Sequence, residues 1–158
     1  MTNTADLYDT HGDRLQVAAP LFQDFGGGAH FSGEIATVKV FEDNTRVRSM
    51  LETQGAGRVL VIDGGGSLRC ALVGDQIGAL AAGNGWSGLV VYGCIRDSQQ
   101  LGELPIGIKA LAACPAKSVK RGEGQTQINV LFADIRFVPG HYLWADPDGI
   151  VTATSALT

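Results

Sequence analysis

The chain has 158 residues, enough to bury a hydrophobic core, and is most simply one domain spanning 1–158. Hydrophobic residues make up 45% of it and charged residues 18%, proportions typical of a globular protein. Its formal net charge of −4 argues against general nucleic-acid binding, because contact with phosphates requires clustered cations. We therefore expect no direct nucleic-acid partner.

The sequence shows no apolar run of transmembrane length and no secretory leader pattern at its start. We expect a soluble, cytoplasmic protein without a membrane partner. Cys70, Cys94 and Cys114 are odd in number, far apart and without CxxC spacing. This pattern excludes the usual thiolate zinc site and argues against a disulfide framework. Each cysteine lies in an apolar stretch, where it is typically a small buried hydrophobe.

The first third of the chain predicts a helix, a strand, a helix and a strand. A short helix is expected to start near Thr4. Residues 30–42 alternate apolar and polar side chains, as strands do. Asp43-Asn44-Thr45 is a capping sequence for a helix that runs to about Gln54. The short β-branched run at 58–63, RVLVID, predicts a buried strand.

Three glycines, 64–66, follow this strand and precede a second predicted strand at 68–73. They do not form a dinucleotide fingerprint, because no helix opens there at GxGxxG spacing. Of the functions considered, a methyltransferase ranks last, because no acidic residue follows the glycine-rich loops at a spacing suited to binding a cofactor ribose. These glycines are therefore expected to form a turn.

The next segment combines apolar elements with polar residues at both ends. A helix is predicted from Gln76 to about Ala82 and a buried strand within 86–93. Gly74-Asp75 stands before the helix, and Arg96-Asp97 follows the strand and begins another short helix. A strand, a helix and a strand in this order predict a right-handed parallel crossover. Ligands bind such sheets beyond the carboxyl ends of their strands, where both polar pairs lie.

The last third reads mainly as strands. Extended pieces are expected at 104–113, a hairpin around Ala133-Asp134, and two final strands at 141–145 and 150–153. The basic cluster at 117–121 lies in a loop that is more simply a solvated turn than an RNA-binding patch. The prediction is a strand-rich α/β domain.

The polar residues suggest a site for a small carboxylate. The first amides of the helix at Gln76 and its dipole would form an anion site, and Gly74 would allow a ligand close to the backbone. Arg96 can clamp a carboxylate through two parallel hydrogen bonds. Asp97 offers hard oxygen to a cation of the Mg or Mn type.

Such a cation, chelated by a 2-oxo acid, would stabilise an enolate. The chain offers no persuasive Schiff-base lysine near these pairs, because Lys39 and Lys109 fall on strands elsewhere, and it has no GxSxG nucleophile elbow. Two simpler readings remain open: Arg96 and Asp97 could form only a surface ion pair, and Asp75 could be only a helix cap.

The pattern of Asp75, twenty intervening residues, and then Arg96-Asp97 resembles the motif shared by class II 4-hydroxy-4-methyl-2-oxoglutarate aldolases and the regulator of ribonuclease activity A family. The likeness extends to Val59–Asp63, to the Phe137-Val-Pro-Gly140 turn and to the Asp146-Pro-Asp-Gly149 turn. It thus covers most of the chain.

The resemblance implies a layered β/β/α fold of the swivelling type, assembled as a ring-shaped homotrimer with sites between subunits. It implies that the amides of Gly74, Asp75, Gln76 and Ile77 hold the oxo-acid carboxylate, that Arg96 clamps the substrate and that Asp97 coordinates a divalent metal. Asp75 would orient a metal-bound water as proton carrier, so Asp75 and Arg96 are the catalytic candidates.

The activity so implied is cleavage of 4-hydroxy-4-methyl-2-oxoglutarate to two pyruvates, together with oxaloacetate decarboxylation. The alternative is a non-catalytic regulator that binds and inhibits a ribonuclease. Longer aldolases of this family carry an acidic residue in a C-terminal extension, whereas this sequence ends at Thr158 without one. His141 stands where the family usually has aspartate, and it is expected to be a turn residue rather than a metal ligand.

Overall fold

The computed structural model describes residues 2–157. In this range the α-helices are α1 (Thr4–His11), α2 (Thr45–Leu51), α3 (Asp75–Gly83) and α4 (Ser98–Leu101). The strands are β1 (Gln16–Val17), β2 (Gln23–Asp24), β3 (Phe31–Lys39), β4 (Val59–Asp63), β5 (Ala71–Val73), β6 (Gly88–Ile95), β7 (Gly107–Ala113), β8 (Gln125–Thr126), β9 (Val130–Phe132), β10 (Ile135–Phe137), β11 (Tyr142–Asp146) and β12 (Gly149–Ala153). No helix among these residues is long and apolar enough to cross a membrane.

Two predicted elements are shorter than the sequence suggested. Helix α2 ends at Leu51 and not near Gln54, and the Leu51 carbonyl accepts a hydrogen bond from the Asn84 side chain at 2.8 Å. The strand predicted at 68–73 is confined to β5, because Glu42 accepts hydrogen bonds from Ser67 Oγ and Arg69 Nε, both at 2.6 Å. Both boundaries therefore depend on contacts that are distant in sequence.

Strand β3 belongs to two parts of one large mixed sheet. Its first residues pair antiparallel with β11, and Ile35–Lys39 pair in parallel with β4. The parallel part continues from β4 to β6 and then to β7, with β5 added beside β6. The antiparallel part continues from β11 to β12 and β1. The predicted parallel pairing on either side of α3 is present.

The central strands are buried on both faces, which explains why β4 reads as a continuous apolar run. Leu60 and Ile62 point into a core shared with α2, α3 and α4. Val59 and Val61 point into a second core shared with β9–β12. The α/β prediction is confirmed in this form, as a large mixed sheet with few helices.

Two glycines give an aromatic side chain its place in the second core. Gly88 on β6 pairs with Gly107 on β7, and the Phe31 ring fills the space that a Cβ atom would take at either position. Any larger residue at these sites would meet that ring directly. Both glycines are therefore required by close packing and not by their backbone angles.

Several details lay outside the sequence-based predictions. The strands β1, β2 and β8 have only two residues each, too few for a periodic signal.

The predicted hairpin around Ala133-Asp134 is present, with β9 paired to β10. All three cysteines are free, and Cys70 and Cys94 are buried as expected, whereas Cys114 is only half-buried.

The three glycines at 64–66 form a turn and not the start of a helix. Gly65 and Gly66 have φ angles of +69° and +73°, and the amides of Gly64 and Gly66 both bond to the Tyr92 carbonyl at 3.1 Å. The next helix along the chain begins only at Asp75. The turn thus lacks the helix N-terminus that a dinucleotide pyrophosphate would need.

Because β3, β4, β5, β6 and β7 run parallel, their carboxyl ends meet at one edge. Gly74-Asp75 follows β5 and Arg96-Asp97 follows β6 at this edge. The loop after β7, residues 114–118, lies beside them, since the Ala71 amide bonds to the Ala116 carbonyl at 2.8 Å. The fold therefore brings both polar pairs and this loop together.

Candidate active site at the carboxyl edge of the sheet

A cavity of about 180 Å³ opens at this edge. It is several times the roughly 30 Å³ that one water occupies, and smaller than the roughly 300–1,000 Å³ of sites for drug-sized ligands. All six predicted site residues line it, Gly74, Asp75, Gln76, Ile77, Arg96 and Asp97, and so do Asn44, Arg48, Ala71, Lys117, Ser118 and Lys120. Its size suits a short metabolite.

The first turn of α3 forms one wall of the cavity. Gly74 is the N-cap of this nine-residue helix. The Asp75 amide donates to Asp97 Oδ2 at 3.0 Å, and the Gln76 amide donates to Asp75 Oδ1 at 2.8 Å. The Ile77 amide has no acceptor within the described part of the chain. The helix start thus already holds the carboxylates of Asp97 and Asp75 and keeps a free donor for another anion.

The structure gives a packing reason for glycine at position 74. A Cβ atom at this position would lie 2.8 Å from Asp97 Oδ2 and 3.4 Å from Arg96 Cγ. Its φ of −124° is accessible to any residue, so the backbone itself does not require glycine. The missing side chain makes room for the Asp97 carboxylate, and direct approach of a ligand to the Gly74 backbone stays a prediction.

Asp97 occupies an unusual backbone position between β6 and α4. Its φ and ψ angles are 57° and 44°, a left-handed conformation that aspartate and asparagine adopt more readily than other non-glycine residues. The hydrogen bond from the Asp75 amide lowers the pKa of Asp97 most, burial opposes this effect, and the Asp75 side chain and the Arg96 charge lower it further. Asp97 is therefore held as a carboxylate.

Arg96 is half-buried and lies between the first turn of α3 and the loop that follows β7. Its amide bonds to the Val73 carbonyl at 2.9 Å, which fixes its backbone against the end of β5. Its guanidinium makes one long hydrogen bond, from Nη1 to the Pro115 carbonyl at 3.4 Å. Most of its donors therefore remain available to a ligand.

The opposite wall was not predicted. The basic loop is exposed except at Ser118, which is buried, and Lys117, Ser118 and Lys120 line the cavity. Asp43 anchors this loop by accepting hydrogen bonds from the amides of Arg121 at 2.8 Å and Glu123 at 3.2 Å. No periodicity or motif signals this arrangement, since Asp43 and the loop are nearly eighty residues apart.

The oxygen ligands present suit a Mg or Mn ion that is also held by substrate and water. Within residues 2–157 no cluster of three or more His, Cys, Asp or Glu side chains could enclose a metal. Asp97 and Asp75 are the two carboxylates of the cavity, and each uses one oxygen to accept a backbone amide. Mg²⁺ commonly binds through one or two carboxylates together with waters and substrate oxygens. The site residues therefore fit such an ion.

Other residues considered from the sequence lie outside the cavity. Lys39 and Lys109 are on strands β3 and β7, as predicted, and neither lines it. His141 lies in the turn before β11, where its amide bonds to the Val138 carbonyl at 3.0 Å. It borders a surface groove with Asp134 and Arg136.

A family model described as RraA-like, Aldolase/RraA, matches residues 2–152. The chain belongs to the RraA-like family. This confirms the resemblance inferred from Asp75, Arg96 and Asp97 and from the matching turns.

Curated relatives of this RraA-like chain agree in name. A protein of Laribacter hongkongensis is 61% identical over 154 residues, covering 98% of this chain and 97% of its own length. A protein of Alkalilimnicola ehrlichii is 53% identical with 98% and 96% coverage. Both are named "Putative 4-hydroxy-4-methyl-2-oxoglutarate aldolase".

Solved structures carry other descriptions. One from Geobacillus kaustophilus, described as an S-adenosylmethionine:2-dimethylmenaquinone methyltransferase, has a TM-score of 0.97 at 49% identity and covers 99% of this chain and 97% of its own. Another, described as the RNA-processing inhibitor RraA from Thermus thermophilis, has a TM-score of 0.97 at 42% identity, with 100% and 96% coverage. The fold is thus shared by two solved proteins of different descriptions.

Proposed function

We propose that this chain is a divalent-metal-dependent lyase for short 2-oxo acids, which cleaves 4-hydroxy-4-methyl-2-oxoglutarate into two pyruvates and decarboxylates oxaloacetate. The observation that carries the proposal is the convergence of the α3 amides, Arg96 and Asp97 on one small cavity. An anion site, a guanidinium and a carboxylate are the three elements needed to hold a 2-oxo acid beside a cation. The names of the curated relatives support the same activity.

In this proposal the substrate's first carboxylate binds at the start of α3, among the amides from Gly74 to Ile77. The Ile77 amide is free to donate to it, whereas the Asp75 and Gln76 amides would exchange their present acceptors for it. Arg96 clamps the same oxo-acid unit through its unused donors. Asp97 holds Mg or Mn, and such a cation when bound stabilises the enolate by Lewis-acid polarisation.

Cleavage breaks the bond between C3 and C4 of the substrate. The 4-hydroxyl group loses its proton as C4 becomes the carbonyl of one pyruvate, and C3 gains a proton to complete the other. Asp75 is exposed at the cavity, and its carboxylate would hold the water that exchanges these protons. The proton lost and the proton gained balance, so no other reactant is needed.

Binding and activity can be tested separately. The unfolding temperature should rise with oxalate, a mimic of the pyruvate enolate, only when Mg²⁺ or Mn²⁺ is present. Purified protein should release pyruvate from oxaloacetate with either cation and lose this activity in chelator. Asp97→Asn should abolish both effects, whereas Asp13→Asn, at an exposed position outside the cavity, should change neither. Metal-independent oxalate binding or full activity of Asp97→Asn would refute the metal assignment.

We also propose a homotrimer with the site near a subunit boundary, acting in the cytoplasm, as the family resemblance implies. Light scattering should then give three times the chain mass of 16.5 kDa. A monomer that retains full activity would refute the placement of the site near a subunit boundary.

A second candidate is a regulator that inhibits a ribonuclease, and the 42%-identical structure described as an RNA-processing inhibitor favours it. The protein should then bind a ribonuclease and slow it in a purified assay. Asp97→Asn should leave this inhibition intact, since inhibition would require no chemistry at the cavity. If the protein slows no ribonuclease of the source cell, the regulator candidate is refuted and only the lyase proposal remains.

A further inference from the structure

Among the described residues, Ser118 is the one cavity residue whose buried side-chain polar atom lacks a partner. Its residue surface is 6% exposed, and its Oγ atom has no hydrogen-bond partner within residues 2–157. Leaving such a group unsatisfied is costly, so native structures rarely keep one without a reason. The position of Ser118 in the cavity lining supplies one: its hydroxyl can donate to an acceptor on a ligand.

Four cationic side chains line the cavity together with this hydroxyl. Arg48, Lys117 and Lys120 line the same wall, and Arg96 lines the other, against the two carboxylates of Asp75 and Asp97. The lining therefore carries two more positive than negative charges, although the whole chain has a net charge of −4. The ion pairs of the described residues, Arg69–Glu42 and Lys109–Asp24, involve none of these cations.

This wall is held in place before any ligand binds. Asn44 is buried, and its Nδ2 donates to the Leu72 carbonyl at 3.1 Å. Its Oδ1 accepts from Lys120 Nζ at 3.3 Å, which ties the exposed lysine side chain to the cavity lining. The Val119 amide bonds to the Glu42 carbonyl at 2.9 Å and fixes the backbone between Ser118 and Lys120.

The cavity also continues beyond Lys120. A neighbouring groove of about 260 Å³ shares Asn44, Arg48, Ile77 and Lys120 with it. A ligand held at Arg96 by one end therefore has space to place a second group beside the cationic wall.

We infer that Ser118 and Lys120, with Arg48 and Lys117 nearby, form a subsite for the second carboxylate of an oxo diacid, and thereby select diacids over monoacids. This inference rests on the proposed function, because it takes the first carboxylate to be bound at α3 and Arg96. The second carboxylate supplies the acceptor that Ser118 Oγ lacks and the negative charge that the cationic wall lacks. Bonds of this kind, to a charged group, are the stronger class of hydrogen bond.

The test compares two ligands that share the 2-oxo acid unit. Pyruvate contains that unit alone, whereas 2-oxoglutarate adds a second carboxylate and has no 4-hydroxyl group, so the proposed cleavage cannot consume it. Titration calorimetry with Mg²⁺ present should show that the unsubstituted protein binds 2-oxoglutarate about tenfold more tightly than pyruvate, the effect of one net charged hydrogen bond.

Ser118→Ala and Lys120→Met should each weaken 2-oxoglutarate binding about five- to thirtyfold and change pyruvate binding less than about twofold. Lys39→Met and Ser155→Ala remove the same groups from exposed positions outside the cavity and should leave both affinities unchanged. Ser118→Ala should also keep or raise the unfolding temperature of the free protein, because it removes an unsatisfied buried hydroxyl. A purely structural serine would instead lower that temperature when it is replaced.

The outcomes separate the subsite from the proposed function. If pyruvate binds but 2-oxoglutarate binds no more tightly, or if the variants weaken both ligands equally, the subsite is refuted and the oxo-acid site stands. If the unsubstituted protein binds neither ligand, both proposals fail.

Discussion

Asp97 combines a chemical task with a backbone conformation that few residues tolerate. Its carboxylate accepts the Asp75 amide at 3.0 Å, while its φ of 57° places the main chain in the left-handed region. Strain of this kind is retained where the surrounding structure requires it, which is often at functional sites. Replacements of Asp97 therefore test two properties at once unless they are chosen with care.

Asparagine and alanine separate these properties. Asp97→Asn should keep the unfolding free energy within about 0.5 kcal/mol, because asparagine tolerates the left-handed region, while it removes metal-dependent activity. Asp97→Ala should lose the same activity and a further 1–2 kcal/mol or so of stability. Urea denaturation of both variants checks this prediction, and equal stabilities would show that the backbone angle carries no cost.

Gly74→Ala should damage the site more than the fold. The added methyl group would lie 2.8 Å from Asp97 Oδ2 and displace the carboxylate, but the backbone angles suit alanine. We expect the rate of oxaloacetate decarboxylation to fall at least about tenfold, while stability changes by about 1 kcal/mol or less. A matched Gly83→Ala, where no atom lies within 4 Å of the added Cβ, should retain full activity. Full activity of Gly74→Ala would mean that Asp97 can move without consequence.

At the scale of elements, Asp43 joins the start of α2 to the loop that carries Lys117 and Lys120. Its carboxylate accepts hydrogen bonds from Thr45 N and Oγ1 as well as from the amides of Arg121 and Glu123. Burial raises the pKa of Asp43, but these hydrogen bonds together outweigh it and lower the pKa from 3.8 to about 2. The second wall of the cavity depends on this ionised carboxylate.

Acid should therefore loosen this connection. A folded-state pKa below the unfolded value of 3.8 means that the stabilisation is fully present above about pH 4 and is lost as the pH falls through about 2. The contribution is on the order of 1–2 kcal/mol. Asp43→Asn should lower stability at pH 7 by a similar amount and flatten the decline in stability between pH 4 and 2. An unchanged pH profile in this variant would contradict the role of Asp43.

At the scale of the whole molecule, Asp146 and Lys109 connect parts that lie far apart in sequence. Asp146 Oδ2 and Oδ1 accept hydrogen bonds from Thr4 N and Oγ1 at 2.7 and 2.8 Å, which attaches α1 to the end of β11. Lys109 is 3% exposed; its Nζ donates to the Asp146 carbonyl at 2.6 Å and pairs with Asp24 at 3.0 Å. Helix α1, the end of β11 and strand β7 are thus joined to one another away from the cavity.

Replacing Lys109 should destabilise the fold without affecting the site. Lys109→Met keeps the apolar stem but removes the hydrogen bond to the Asp146 carbonyl, and Asp24, a third exposed, can regain water. We expect a loss of about 1–3 kcal/mol in urea denaturation, less than for a fully buried pair, with unchanged affinity for 2-oxo acids. Lys39→Met, which removes an exposed lysine, is the matched control. If Lys109→Met also lost oxo-acid binding, the expectation that this contact is independent of the site would be wrong.

The sequence by itself determined the main elements and one half of the candidate site. β4 and β6 are apolar enough to be read as buried strands, and the polar pairs that follow β5 and β6 stand in fixed relation to them. Parallel pairing then places Gly74-Asp75 and Arg96-Asp97 at one edge, because local signals set both elements and their order.

Only the tertiary structure decided the other half. Asn44, Ser118 and Lys120 reach the cavity because Asp43 binds the amides of a loop nearly eighty residues away, and no periodic pattern encodes that contact. The contact that favours glycine at position 74 is also long-range, since the Asp97 carboxylate beside it comes from the segment between β6 and α4. Short-range patterns specify helices and strands, whereas long-range hydrogen bonds and charges specify which loops close around the site.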